Sequence, residues 1–153
     1  MSDALAGHLA WTNRFLLEWL GRFPQDRRLE RIDGRANCAT WQAGHIAGNR
    51  RAIAQQIDCK LGEPTWLPLF RPGSSGDPTE DWPDLSAIVE DLQATADRLR
   101  ERLESAGPEF MDAEVPHVLS DGRVSRAENV VFLLYHEGFH AGQIEQARRL
   151  LEG

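Results

Sequence analysis

The sequence is short of lysine, cysteine and long apolar runs. Lys60 is the only lysine in 153 residues, and the formal net charge is −7 at pH 7. No run of basic residues offsets this acidic balance, so the chain would repel phosphate backbones, and we expect no nucleic-acid partner. No apolar run approaches membrane-spanning length, so we expect no membrane partner either.

The start of the chain carries Asp3, Arg14 and Glu18 within an apolar pattern and lacks a basic leader. It does not read as a signal peptide, and we expect a cytoplasmic protein. The two cysteines, Cys38 and Cys59, flank a predicted helix that would hold them more than about 20 Å apart, which excludes a disulfide between them. Cys38 lies near a helix N-terminus, where a thiolate is favoured, but we favour the interpretation of a small buried residue.

Apolar residues recur at helical spacing in four stretches, which predicts an all-α fold, a four-helix bundle forming one domain over residues 1–153. The connection over residues 60–83 is rich in Pro and Gly yet carries aromatic residues, so we expect a long crossover packed over the bundle. Asp121-Gly122 predicts a small hairpin before the fourth helix. The predicted helices run from Asp3 to Gly21, from Thr40 as N-cap to about Cys59, from Asp84 to Ala106, and from Ser125 to about Glu152, where Ser125 and Glu128 form a capping box.

The most informative motif is HEGFH, residues 136–140, in the fourth predicted helix. Histidines four apart share one face of a helix and can reach one metal ion. The letters match the HExxH of zinc proteases, in which the glutamate is a general base. Few residues follow His140, however, and Gln143 and Gln146 stand where the metzincin extension needs Gly and His. We therefore expect no protease, and the third ligand must come from upstream.

His45 is the best upstream ligand, because it lies mid-helix on an inward stripe of the second helix. Gly44 and Gly48 flank it, and such glycines weaken a helix unless another helix or a ligand approaches closely. One histidine from the second helix and two from the fourth form a facial triad suited to zinc, nickel, copper or iron(II). The alternative is three separate hydrogen-bonded core histidines. We expect His8 and His117 to be exposed or hydrogen-bonded, not ligands.

The segments WQAGHIAGNRR and YHEGFHAGQIEQARRLL resemble the DinB/YfiT superfamily of metal-binding four-helix bundles. That family combines a histidine after a Trp-containing helix start with an HxxxH followed by GQI. The resemblance implies that His45, His136 and His140 bind a divalent metal, often zinc or nickel. It also implies frequent homodimers and, in members with known activity, transferase or isomerase chemistry with low-molecular-weight thiols such as mycothiol or bacillithiol. Asn49 departs from the pattern, since the family often carries an acidic residue there, and no thiol-recognition signature is visible.

Two functions follow as hypotheses. The first is a metal-dependent thiol S-transferase, or a related isomerase or hydrolase, acting on a small-molecule substrate. In it the ion lowers the pKa of a bound thiol or water, and Glu137 is either the catalytic base or a carboxylate that orients a ligand histidine. Arg50 or Arg51 could hold a substrate carboxylate, although surface charges are the expectation for both. The second is a non-catalytic, metal-stabilised stress-response or binding module with a closed coordination sphere.

Overall fold

The computed structural model describes residues 1–34 and 36–152. Arg35, in the connection after the first predicted helix, and Gly153, at the end of the predicted domain, lie outside them. Within the described residues the fold is all-α apart from one small hairpin, which confirms the predicted fold class. The long helices are α1 (Ser2–Arg22), α2 (Ala39–Gln56), α3 (Leu85–Glu104) and α5 (Arg126–Glu152); the short elements are 3₁₀ helices Ile32–Gly34 and Leu67–Phe70, helix α4 (Pro108–Asp112), and strands β1 (Glu114–Pro116) and β2 (Arg123–Ser125).

The four long helices form a bundle in which α1 and α2 each pack against both α3 and α5. Ser2 Oγ donates to the Ala106 carbonyl, just beyond the end of α3, at 2.8 Å, so α1 and α3 are antiparallel. The amide Nδ2 of Asn129, near the start of α5, donates at 3.0 Å to Oε1 of Gln56 at the end of α2, so these two are also antiparallel. Helices α2 and α3 run parallel, because their N-terminal halves share one apolar cluster and their C-terminal halves another. Parallel neighbours need a crossover, which is the role of residues 60–83.

Helix α2 is buried around most of its circumference, unlike the amphipathic α3, whose apolar stripe alone is buried. The cause is the crossover, which covers the side of α2 that faces away from α3 and α5. Phe70 from this segment is 2 % exposed and packs against Trp66 and Trp82, with ring centroids 5.9 and 4.9 Å away. A Cβ added at Gly44 would lie 2.5 Å from Phe70 Cδ2, so the close approach predicted at this glycine is that of an aromatic ring. The predicted packed crossover is confirmed.

The capping box predicted before the fourth helix is present. Ser125 N and Oγ donate to Glu128 Oε2 at 2.7 and 2.8 Å, and Glu128 N donates to Ser125 Oγ at 3.2 Å. The Thr40 N-cap was wrong, because α2 already begins at Ala39 with Cys38 as its N-cap. The Thr40 hydroxyl instead donates to the Arg28 carbonyl at 3.2 Å and fastens the incoming connection.

Both cysteines are free. Cys38 is 1 % exposed, and burial raises the pKa of its thiol, so the thiolate that the helix N-terminus would favour is disfavoured by desolvation. Cys59 is half-buried at the other end of α2. Of the helices described, none is both long and apolar enough to cross a bilayer.

Candidate metal centre

Three histidines meet where α2 packs against α5. Nε2 of His136 lies 3.1 Å from Nε2 of His45 and 3.1 Å from Nε2 of His140. His136 and His140 are neighbours because they are four residues apart on α5, and His45 reaches them because α2 runs antiparallel to α5 at this level. The structure thus brings together the three histidines that the sequence predicted as ligands.

Hydrogen bonds on the far side of two of the rings set their orientation. His45 Nδ1 donates to the Phe70 carbonyl at 2.9 Å. His140 Nδ1 faces the amide oxygens of Gln42 at 2.5 Å and Gln143 at 3.1 Å. Because these partners are oxygen acceptors, the ring hydrogens sit on Nδ1 and leave the lone pairs of Nε2 pointing into the cluster.

The donor set fits a divalent cation. Burial, reinforced by the charge of the neighbouring histidines, lowers the pKa of His136 and lowers that of His140 to about 4, so both imidazoles are neutral near pH 7. Two Nε2 lone pairs then face His136, whose Nε2 carries at most one hydrogen to share between them. Ligands in a tetrahedral site with bonds of about 2.0 Å lie about 3.3 Å apart, and in an octahedral site with bonds of about 2.1 Å about 3.0 Å apart. The two spacings at His136, 3.1 Å each, fall between these values, and the ligand atoms of the three histidines all lie within 4.8 Å of one another.

Sequence reasoning missed the residues that hold the ligand rings. Gln42 lies three residues before His45, and Gln143 lies three residues after His140, so helical spacing places each on the face of a ligand histidine. The Phe70 carbonyl had no signal in the sequence, because the crossover brings it to His45 only in the folded chain. Trp41 also stacks on His45, with ring centroids 4.8 Å apart and planes 11° apart.

The site is open on one side. Among the described residues, the cluster of His, Cys, Asp and Glu ligand atoms contains these three histidines and no fourth member. His45 and His136 also line a mainly apolar cavity of about 640 Å³ between α2, α5, the crossover and the hairpin turn. Its volume lies in the range of small-molecule sites, about 300–1,000 Å³. A metal ion held here would keep a coordination position facing the cavity.

Glu137 points away from this cavity, into the bundle interior. Its Oε1 accepts from Arg50 Nη2 at 2.7 Å and its Oε2 from Arg50 Nε at 3.3 Å, and neither side chain has any exposed surface. A general base must take a proton from the reacting group, whereas both oxygens of Glu137 face Arg50. The contact with Arg50 ties α5 to α2 between the two histidines of the motif, and the catalytic role of Glu137 stays a prediction that this geometry does not favour.

The two arginines that follow Asn49 are not the surface charges that we expected. Arg50 is completely buried and Arg51 is 7 % exposed, and each binds a carboxylate of the protein itself. Arg51 Nη1 and Nη2 lie 2.5 and 2.6 Å from the carboxylate oxygens of Asp91, which joins α2 to α3. Burial of both became possible because α2 is covered on nearly every side.

The remaining polar residues near the motif have structural contacts. Asn49 lines the cavity, and its Nδ2 donates to the Leu133 carbonyl at 2.9 Å. His8 is exposed on α1, as predicted. His117 lies in the hairpin turn, where its Nδ1 accepts from the Leu119 amide at 3.1 Å. Neither His8 nor His117 joins the ligand cluster.

Comparison with known proteins identifies the family of this chain. The family model of the DinB superfamily matches residues 4–144, which include all four long helices except the ends of α1 and α5. Neither the curated proteins nor the solved structures contain a significant match to the chain. Because this family model covers most of the chain, the chain belongs to the DinB superfamily.

Proposed function

We propose that this chain is a divalent-metal-dependent enzyme of the thiol S-transferase type that acts on a small molecule. The observation that carries the proposal is a cluster of three histidines, two of which, His45 and His136, lie on the wall of a cavity large enough for a substrate. Three protein ligands and an open position are the arrangement of catalytic sites, whereas structural sites are closed by a fourth protein ligand. Zinc and nickel are the metals that the three-imidazole donor set and the family resemblance favour.

The protein supplies position and a dry environment to this chemistry. His45, His136 and His140 would hold the ion, and its positive charge would lower the pKa of a thiol or water beside it. The Phe70 carbonyl accepts from Nδ1 of His45 and Gln42 Oε1 accepts from Nδ1 of His140, which keeps these two rings aligned. The apolar walls exclude water, which strengthens the electrostatic stabilisation of an anionic sulfur.

The proposed reaction is a substitution at carbon. The thiol releases its proton to solvent, and its sulfur forms a bond to an electrophilic carbon of the substrate. The leaving group departs with the electron pair of the broken bond, so the exchange needs no oxidant or reductant. Glu63 is exposed and is the carboxylate among the lining residues of the cavity.

Elemental analysis of protein purified without a histidine tag tests the metal site. We expect about one equivalent of divalent metal per chain, lost in His45→Ala and kept in His8→Ala, which removes an exposed histidine outside the cluster. A wild-type content well below one equivalent, unchanged by His45→Ala, would refute metal binding.

Cobalt substitution distinguishes the hypothesis of an enzyme from that of a non-catalytic module. The absorption spectrum of Co²⁺-loaded protein should change on addition of small thiols, because a thiolate enters the open position. Turnover is then measured with a panel of low-molecular-weight thiols and 1-chloro-2,4-dinitrobenzene as a general electrophile. A cobalt spectrum that no thiol alters, together with no turnover, would favour the metal-stabilised binding module instead.

A second copy of the chain is the protein partner that the resemblance predicts. We propose that it docks on α5, which exposes Val131, Tyr135 and Phe139 at a spacing of four residues and hence along one stripe. Sedimentation velocity should show a dimer for the wild type and a monomer for the variant Val131→Ser with Tyr135→Ser. A monomeric wild type would contradict the proposal. Leu119→Ser, at another exposed apolar site, is the matched control.

A further inference from the structure

Gly48 has no partner in the protein that explains a glycine at its position. It lies in the middle of α2, where glycine weakens a helix more than any residue except proline. A Cβ added at Gly48 would meet no atom within 4 Å, in contrast to Gly44, whose added Cβ would collide with Phe70. The space beside Gly48 is the cavity next to the histidines. Contact with Phe70 explains why position 44 is a glycine. The glycine at position 48 is explained instead by the group that enters the cavity.

The cavity wall around Gly48 is mainly apolar, although Asn49, Glu63 and Arg71 are also lining residues. Gly48 and Ala52 lie four residues apart on the same face of α2 as His45, and Phe132 and Leu133 of α5 stand opposite. The volume of about 640 Å³ is several times that of a cavity that holds benzene, about 150 Å³. The histidine cluster therefore opens onto a compartment with room for an aromatic ring, and most of the wall beside that ring would be apolar.

We propose that this compartment takes an apolar, aryl-sized group of the substrate, and that Gly48, with Ala52, sets how large that group can be. This rests on the proposed function, since the donor atom of such a substrate would reach the metal held by His45, His136 and His140. The ligand class is a small molecule with a sulfur or oxygen donor joined by a short linker to an aromatic or branched aliphatic body. Gly48 is thus a specificity-determining residue and not a ligand.

The first test compares two thiols on Co²⁺-loaded full-length protein, followed by the thiolate-to-cobalt charge-transfer absorption. Phenylmethanethiol should bind at least about tenfold tighter than 2-mercaptoethanol, because its ring is removed from water. In Gly48→Leu that preference should fall by about tenfold, while 2-mercaptoethanol binds within about twofold of wild type. The matched control is Gly7→Leu, a glycine inside α1 whose added Cβ also meets no atom within 4 Å but which lies outside the cavity. Equal affinity for both thiols, or a preference retained in Gly48→Leu, would overturn the proposal.

A second readout needs no metal and distinguishes failure of the compartment from failure of the proposed function. The fluorescence of 1-anilinonaphthalene-8-sulfonate is titrated against metal-free wild type, Gly48→Leu and Gly7→Leu. We expect a saturable site in wild type and Gly7→Leu that weakens at least about tenfold in Gly48→Leu. If cobalt shows no thiol signal but the dye site depends on Gly48, the proposed function fails and the apolar compartment stands. If the dye binds all three proteins alike, the compartment proposal fails. Circular dichroism checks folding, and leucine is the better helix former at both positions.

Discussion

The buried pair of Arg50 and Glu137 provides the sharpest test of how the bundle holds its histidines in place. Both side chains are completely buried, and the guanidinium binds the carboxylate through Nε and Nη2. The change to make is Glu137→Gln, which keeps the size of the side chain and removes its charge. If Glu137 is a positioning residue, the main effect is a loss of stability, whereas a general base would be needed for turnover and not for folding.

The expected magnitude follows from the cost of an uncompensated buried charge. Removing one partner of a buried ion pair costs about 3–5 kcal/mol, because the remaining ion stays desolvated. Glutamine keeps one oxygen that can accept from Arg50, so we expect the lower end, about 3 kcal/mol. Domains of this kind are stable by about 5–15 kcal/mol, so the variant should still fold. With an m-value of about 2 kcal/mol per molar urea, the unfolding midpoint should fall by about 1.5 M.

The assay is urea unfolding in the presence of a chelator, so that bound metal does not add to the stability of the folded state. Glu18→Gln is the control, because Glu18 forms an exposed pair with Arg22 at 2.8 Å on α1 and its loss should change stability by less than about 0.5 kcal/mol. The reasoning is refuted if Glu137→Gln unfolds within about 0.5 kcal/mol of wild type. Lost turnover at unchanged stability would restore the general-base role.

A double-mutant cycle with Arg50→Met and Glu137→Leu isolates the pair from the rest of the network. Arg50 also donates to Asn13 Oδ1 at 2.9 Å, to Thr95 Oγ1 at 3.4 Å and to the Leu92 carbonyl, so it contacts all three other long helices. Removing both charges avoids the lone buried ion but leaves these acceptors without a donor. We therefore expect the double variant to lose less than the sum of the two single losses, with a coupling of about 1–3 kcal/mol.

Three other measurements test the site and its surroundings. Gln42→Leu should lower metal affinity up to about tenfold in a chelator competition, because the His140 ring loses the closer of its two acceptors, whereas Gln146→Leu, at an exposed position of α5, should not. The stability of the metal-free protein should fall as the pH falls from 6.5 toward 4, with a slope of up to about 1.4 kcal/mol per pH unit. The reason is that the pKa of His140 is lowered to about 4 in the folded protein, so the unfolded state binds more protons in this range. A flat stability profile from urea unfolding would contradict this. Iodoacetamide should label half-buried Cys59 and spare Cys38 in the native protein at pH 8, and equal labelling rates would contradict the buried thiol.

Periodicity and caps predicted the fold well because they are local. The long helices begin and end within about three residues of their predicted bounds, and the hairpin and the capping box lie where turn and cap residues placed them. The sequence did not predict the short helices, which are α4 and the two 3₁₀ helices, because stretches of three to five residues carry too little periodic signal.

The three candidate metal ligands could be predicted because helical spacing in the sequence places residues close together in a bundle. The burial of the side chains around α2 could not be predicted in this way. Its apolar pattern left Arg50 and Arg51 looking exposed, and only the crossover and the packing of α3 and α5 bury them. Their partners, Glu137 and Asp91, lie far away in the sequence, so no local rule pairs them. A buried arginine is visible from sequence only when its carboxylate partner is already known.

The same geometry explains why HEGFH does not read as a protease motif in the folded chain. At about 100° per residue, His136 and His140 differ by about 40° around α5, and Glu137 lies about 60° beyond His140 and 100° from His136. The spacing of the residues in the sequence fixes these angles, but it does not fix which side of the two histidines faces the bundle axis. Here the axis lies on the Glu137 side, so Glu137 is fully buried against Arg50 while His136 stays half-buried on the cavity wall. The direction of the bundle axis, set by α1 and α2 and absent from the motif itself, places Glu137 against Arg50 and His136 on the cavity wall.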